Sequence, residues 1–504
     1  MSNVQAPQLQ EVPAQAATAE EVASQIDLTK MSLSAPVYKY RRFYQVQGGA
    51  SFSPTGSNYL SQFVIPGSSV WNFARSYITF DVLHSLLRAN DANARLSTAF
   101  TDTFPIDSIQ LQTDNGTVLA NIQNAQAYLK ICQALVTDEK TLCSKSPVQA
   151  DASMPPAAFP RNVCNGLNPF KSNDEIARAS QQLIASVASG AYFTNTVPSI
   201  EPCDETSGTD RIGLPGVQRL VSGLSIAAGA AATFASCNVR YRLDLAAIVG
   251  TILAVDKDMH FGTNLQLQIY FKPRANWGFF STVDTTTIVP TESTAVAVSN
   301  YYLYMAEDIN DEITLPMINQ VRTNGASVYV PYTVSSQFST DGTAGYASSN
   351  IPLVPGEGLR LKRILTNAIL SSNTLSSTAN TFNVNGAKVT ALQSYLDSKP
   401  LQDQELKLLD SDIYNYLSDK CKDSCALLSE RTFEENFFWC DDFSDCESSL
   451  KYRENDCKLS GLSVDMQKNY ALRVNKAALG LILCHWKTYV RMLTIKPSGI
   501  SWGQ

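Results

Sequence analysis

The segment Asn238–Pro273 reads NVRYRLDLAAIVGTILAVDKDMHFGTNLQLQIYFKP, and the rest of the chain is organised around it. Val239, Tyr241 and Leu243 alternate with polar and basic residues, as in a strand. Asp244 stands where its carboxylate would accept the free N–H groups of a first helical turn, and Leu245, Ile248, Ile252 and Leu253 follow at helical spacing. Gly262 then releases the chain into Leu265–Phe271. There Leu265, Leu267, Ile269 and Phe271 face one way, and Gln266, Gln268, Tyr270 and Lys272 the other. Strict alternation of this kind marks a strand with one buried face. Pro273 cannot donate to a ladder and ends it. The segment therefore predicts strand, short helix, strand, in the closing part of a large β-sandwich.

Working outward, 504 residues leave room for a second sandwich. Charged residues make up 17%, below the roughly 25% of an average soluble protein, so much of the polar surface is Ser, Thr, Asn and Gln. Such a surface suits neutral faces packed against copies of the same chain, and equally a weakly charged extracellular β protein. A net charge of −7 without a long basic block argues against a protein whose task is to neutralise a phosphate backbone. One basic cluster stands out: Lys39, Arg41 and Arg42, interleaved with Tyr38, Tyr40, Phe43 and Tyr44. It reads first as a charge-protected edge strand, and second as a contact for nucleic acid or an acidic partner. No run of about 18 apolar residues exists to span a membrane, and the N-terminus lacks the pattern of a signal peptide. Eleven cysteines without a regular framework fit a reducing compartment, and Asn115-Gly116-Thr117 then reads as a turn and not a glycosylation site.

Residues 1–37 hold few large apolar side chains and read as a flexible arm, with Glu20–Ile26 able to form a helical turn on a partner. From Tyr38 the pattern is β. Tyr59–Ile65 and Tyr77–Val82 are joined through a Pro66-Gly67 turn. Ser108–Gln112 and Thr117–Ala120 flank Asp114-Asn115-Gly116, a hairpin signal because Asn and Gly tolerate positive φ. Val118, Ile122, Ala125, Leu129, Cys132 and Val136 then recur on one helical face. Residues 138–215 form a long elaborated loop. It holds one helix, capped by Ser172 or Asn173 and ended by Gly190. Strands resume at Val217–Leu224, Ala232–Val239, Tyr301–Met305 and Ser327–Val334, and later at Tyr470–Val474, Leu479–Leu483 and Tyr489–Ile495.

The later half replays the earlier. Leu361–Leu370 follows Pro355-Gly356 as Tyr77–Val82 follows Pro66-Gly67. Asn385-Gly386 and Tyr395-Leu396 follow one another as Asn115-Gly116 and Tyr128-Leu129 do, at a near-constant offset. The shared order predicts an internal duplication.

Chemistry-bearing motifs are absent. The three histidines are His84, His260 and His485, and no His-Glu-x-x-His, Gly-x-Ser-x-Gly or phosphate-binding glycine loop occurs. His84 and His485 read as structural. Cys421, Cys425, Cys440, Cys446 and Cys457 form one dense cluster, but their spacings lack the Cys-x2-Cys knuckles of zinc sites, and buried thiols are the first reading. Glu434–Glu447 mixes acids with aromatics and reads first as a half-buried strand with an acidic rim, then as a partner-binding patch. No catalytic, cofactor-binding or metal-ligating residue is assigned, and no cofactor.

The order of elements resembles the double jelly-roll major capsid proteins of adenoviruses, tailless membrane-containing phages, virophages and polinton-like viruses. The resemblance is carried by Arg75-Ser76-Tyr77-Ile78-Thr79-Phe80, Val118–Val136, Leu243–Phe271 and Tyr489–Ile495. It implies an all-β chain with short helical insertions, built as two tandem eight-stranded antiparallel jelly rolls. The first would occupy 38–320, with a surface insertion near 138–215, and the second 321–504. It further implies a non-enzymatic major capsid protein forming pseudo-hexagonal homotrimers in an icosahedral virion. Its neighbours would be other capsomers, penton proteins, and minor capsid proteins or an underlying membrane, with no sequence-specific nucleic acid. The arm at 1–37 would lie along the inner face. Three rival readings stay open: a single jelly roll with a protruding β domain, a carbohydrate-binding or carbohydrate-active β-sandwich, and a zinc-containing cytosolic scaffold.

Overall fold

The computed structural model describes residues 35–88, 95–100, 105–136, 148–150, 220–221, 233–274, 277–284, 287–292, 295–353, 360–371, 389–407, 412–420, 438–443, 461–464 and 468–503. Eight main strands in chain order make the first unit: Tyr38–Phe43, Tyr59–Ile65, Val70–Arg88, Ile106–Thr113, Val118–Gln123, Thr233–Asp244, Leu265–Phe271 and Ala295–Asp308. The first, eighth, third and sixth lie side by side in one antiparallel sheet, called here the wide sheet. The second, seventh, fourth and fifth make the facing narrow sheet. That interleaving is the jelly roll, in which each sheet takes strands alternately from the folded ribbon.

The second unit repeats it strand for strand. Ala326–Ser339, Gly345–Leu353, Arg360–Leu370, Val389–Leu396, Lys399–Pro400, Phe438–Asp442, Lys468–Lys476 and Leu481–Lys496 again place first, eighth, third and sixth in one sheet, and second, seventh, fourth and fifth in the other. In both rolls a helix follows the fifth strand: Ala125–Val136 in the first and Asp412–Lys420 in the second. A helix over Asp311–Thr323, capped by the Asn310 side chain, lies between the rolls. A further four-stranded sheet, Thr287–Glu292, Gly278–Asp284, Arg95–Phe100 and Leu220–Val221, is built from the connections of the first roll. Among the described residues no helix is long and apolar enough to cross a membrane.

The cores follow from alternation. Leu265, Leu267, Ile269 and Phe271 are buried, with the residues between them half-buried. Phe271 stacks on Trp277 at 5.4 Å, Phe80 on Tyr241 at 5.0 Å and Phe52 on Tyr59 at 4.2 Å. Rings of this size dominate core energetics.

Several local expectations are corrected. The segment after Asp244 is not one helix but two short 3-10 turns, Leu245–Ala247 and Ile252–Ala254. Gly250, at φ +74°, breaks the run, and the Thr251 side chain accepts from Leu253 N to start the second turn. Asp244 caps nothing; its carboxylate takes Arg242 Nε at 2.9 Å. Val118 and Ile122 belong to a strand, and the helix begins only at Ala125, after Asn124 turns the chain at φ +51°. Tyr395 and Leu396 end a strand, so the Tyr-Leu pairs are not equivalent. The duplication shows instead in the strand order and the paired helices. The strand expected over Tyr77–Val82 runs from Val70 to Arg88. Tyr301–Met305 is the middle of a strand of 14 residues. The last two expected strands are one, Leu481–Lys496, whose residues from Leu483 to Val490 are buried on both faces and so show no alternation. The helix expected after Ser172, the Asn385-Gly386 pair and Cys421, Cys425, Cys446 and Cys457 lie outside the described residues.

The Pro66-Gly67 turn needs its glycine for space. Gly67 donates its N–H to Asn264 Oδ1 at 3.1 Å, and a Cβ there would overlap the Thr263 backbone. Gly67→Ala is expected to cost about 2 kcal/mol, as overpacking against immobile backbone does, and to lower the melting temperature in a calorimetric scan.

Candidate assembly interface

The rolls are joined by the fifth strand and following helix of the first, set against the outer face of the wide sheet of the second. Trp486 Nε1 donates to Gln123 O at 2.9 Å, and its ring lies 5.4 Å from that of Tyr128. Asn124 Nδ2 donates to Cys484 Sγ at 3.1 Å, and Gln123 N to Ser335 Oγ at 3.1 Å. Thr333 Oγ1 donates to Gly250 O at 2.7 Å and lies 2.9 Å from Thr488 Oγ1. The strand Gly499–Trp502 adds a clamp, with Trp502 Nε1 donating to Val118 O at 2.9 Å and Thr117 Oγ1 to Ile500 O at 3.2 Å.

Burial sets the electrostatics of this junction. It pushes the Tyr128 phenol well above its ordinary value, so the hydroxyl stays a donor, to Val249 O at 2.5 Å. It pushes the Cys484 thiol up to about 12, which keeps it an unreactive apolar group. Gly250 sits at the centre; a Cβ on it would lie 2.9 Å from both Thr333 Oγ1 and Tyr128 OH.

Three outer sheet faces are turned away from this junction's contacts. On the narrow sheet of the first roll, glutamines bond across strands: Gln62 Nε2 and Gln112 Nε2 both donate to Gln266 Oε1, at 3.0 and 3.2 Å, and Gln266 Nε2 reaches Asp114 Oδ1 at 3.0 Å. Leu60 and Val64 stand exposed beside them. On the narrow sheet of the second roll, Arg473 lies over the Tyr346 ring at 4.0 Å, and Tyr346 OH donates to Glu405 at 3.0 Å.

The wide sheet of the first roll carries a lattice of tyrosine and arginine. The strand Tyr38–Phe43 forms its edge, so the basic cluster read from sequence lies at a sheet margin. Tyr304 pairs with Arg42 on one side and Tyr77 on the other. Tyr77 and Tyr304 stack at 5.0 Å, and Tyr44 meets Tyr302 at 5.4 Å. Arg42 lies 4.8 Å over Tyr302 and Arg242 4.0 Å over Tyr77. Nearby, Arg75 Nε pairs with Asp256 at 3.0 Å. Tyr40 and Tyr44 are each 51% exposed. The alignment of these tyrosines across four strands depends on a register that the sequence does not display.

The histidines and Cys440 fall elsewhere. His260 Nδ1 lies 3.2 Å from Ser69 O, and burial lowers its pKa. His485 and Cys440 are buried in the second roll. Among the described residues no three His, Cys, Asp or Glu side chains are placed to hold a metal ion.

No protein-family model matches the chain, and no curated protein matches it by sequence. Among solved structures it is similar to the mavirus major capsid protein, at 11% identity over 100% of this chain and 95% of that one, with a TM-score of 0.47. It is similar to the 3.5 Å cryo-EM structure of the Sputnik virophage at 11% identity, over 93% of this chain and 90% of that one, with a TM-score of 0.47. For the PBCV-1 virus capsid the values are 10%, 94%, 98% and 0.45. The double jelly roll itself is defined by the chain's own strand order.

Proposed function

We propose that the chain is a non-enzymatic major capsid protein that assembles as homotrimers into an icosahedral shell. The observation that carries this reading is the duplication: two rolls of identical strand order, locked side by side through a sheet buried on both faces. Two like bodies per chain make six per trimer, which gives a pseudo-hexagonal outline from threefold symmetry. Such an outline tiles a flat facet with neighbouring capsomers. The chain divides near residues 320 and 321, at the helix Asp311–Thr323. The glutamine face supplies neutral polar surface for lateral packing. Such a shell would have penton proteins, and minor capsid proteins or an underlying membrane, as neighbours; residues 1–34 of the arm lie outside the described residues. No observation among the described residues favours the carbohydrate-binding reading.

Native mass spectrometry with negative-stain electron microscopy of the purified chain tests this. A trimer with hexagonal outline, or shells, is expected. A monodisperse monomer that never assembles overturns the proposal.

A further inference from the structure

Resting on the trimer reading, we infer that the tyrosine–arginine face of the first roll is the seat for a second copy of this chain. The part of that copy which docks is the acidic segment around the fifth strand and helix of its second roll. The internal junction supplies the argument. There the fifth strand and helix of the first roll cover the wide-sheet face of the second. The second roll repeats the covering elements, Lys399–Pro400 and Asp412–Lys420, and the first roll repeats the face. Each copy thus offers one further covering element and one further face. A contact of this head-to-tail kind, repeated with a rotation of a third of a turn, closes into a ring of three.

The chemistry of the two surfaces matches. Arg42 is held by tyrosines alone: it donates to Tyr44 OH at 2.8 Å and lies over the rings of Tyr44 and Tyr302. Its charge meets no carboxylate among the described residues, whereas Arg242 and Arg75 each have one. Tyrosine and arginine on a rigid sheet are the side chains enriched at the centres of protein interfaces. Around the second roll's fifth strand, Asp403 is exposed, Glu405 lies on the outer face, and Asp412 opens the helix. Lys399 and Lys407 are exposed in the same segment, so the acids are local and not a uniform field.

The test is the Arg42→Glu variant, followed by analytical ultracentrifugation across a concentration series with a thermal melt of the dissociated chain. Arg42 is exposed, so the melt should match the wild type, while the trimer dissociates at a concentration at least about 30-fold higher. Combining Arg42→Glu with Asp403→Lys and Asp412→Lys should restore assembly. A wild-type chain that never forms trimers overturns the proposed function. A wild-type trimer whose Arg42→Glu variant holds together at the same concentration overturns this inference alone. A variant trimer that is lost but not rescued removes the acidic segment as the docking element.

Discussion

Replacing Asp441 by alanine is expected to destabilise the second roll by about 3–5 kcal/mol, the range for breaking a buried charged hydrogen-bond network. Asp441 is 1% exposed and central to that core. Its Oδ1 accepts from Ser394 Oγ at 3.1 Å, and its Oδ2 from Trp439 Nε1 at 2.8 Å and Tyr470 OH at 2.6 Å. The four residues come from the fourth, sixth and seventh strands and so tie the two sheets together. Alanine would take the carboxylate from the Trp439 and Tyr470 donors at once, while Ser394 Oγ keeps Gln402 Oε1 at 3.1 Å. For a unit of this size the loss corresponds to a fall of about 10 °C in melting temperature, read by calorimetry. Asp441→Asn keeps the shape and one acceptor and should lie between the two. Burial, together with the neighbouring Asp441 carboxylate, holds the Tyr470 phenol well above its ordinary value, so that hydroxyl keeps the proton it donates.

Acid is expected to weaken the fold through His485. The ring is buried in the second roll, with Nδ1 2.8 Å from Thr366 Oγ1. Burial, with repulsion from Lys487, pushes its pKa down to about 3. In the unfolded chain the imidazole titrates near 6.5. Between these values the unfolded chain takes up a proton that the folded chain refuses. The contribution is therefore complete above about pH 6.5 and is lost as pH falls, by about 2 kcal/mol at pH 5. His260, whose pKa burial also lowers, acts with the same sign. Denaturant midpoints measured at pH 7.5 and pH 5 check this. His485→Gln should remove most of the difference attributed to this ring, and an unchanged difference would show that other groups set the acid response.

What could be read from sequence divides along physical lines. Half-buried strands announced themselves, because alternation in Leu265–Phe271 and the Asn115-Gly116 hairpin are local signals. Strands buried on both faces did not: Leu481–Lys496 carries His485 and Lys487 among apolar neighbours and was split in two. The duplication was legible as an order of elements, but the Tyr-Leu pairs that suggested it occupy different structures, a helix and a strand. The Asp441 network was hidden for another reason. Its members lie as far apart as Ser394 and Tyr470, and only the sheet register brings them together. The basic edge was visible as a cluster, while the platform beneath it draws on Tyr77, Arg242 and Tyr302, which are far apart in the chain.

The clamp at the junction also orders events in time. Trp502 and Val118 are bonded across 384 residues of chain. At a synthesis rate of roughly 5–20 residues per second, Val118 is made roughly 20–80 seconds before the Trp502 that closes over it. Throughout that interval the helix Ala125–Val136 has no Trp486 to pack against. Until the second roll exists, the Tyr128 ring and the Gln123 carbonyl lack the Trp486 partner that the finished fold gives them. A chain truncated before Leu481 lacks the strand at the centre of the second roll's wide sheet, and with it the face on which the first roll is seated.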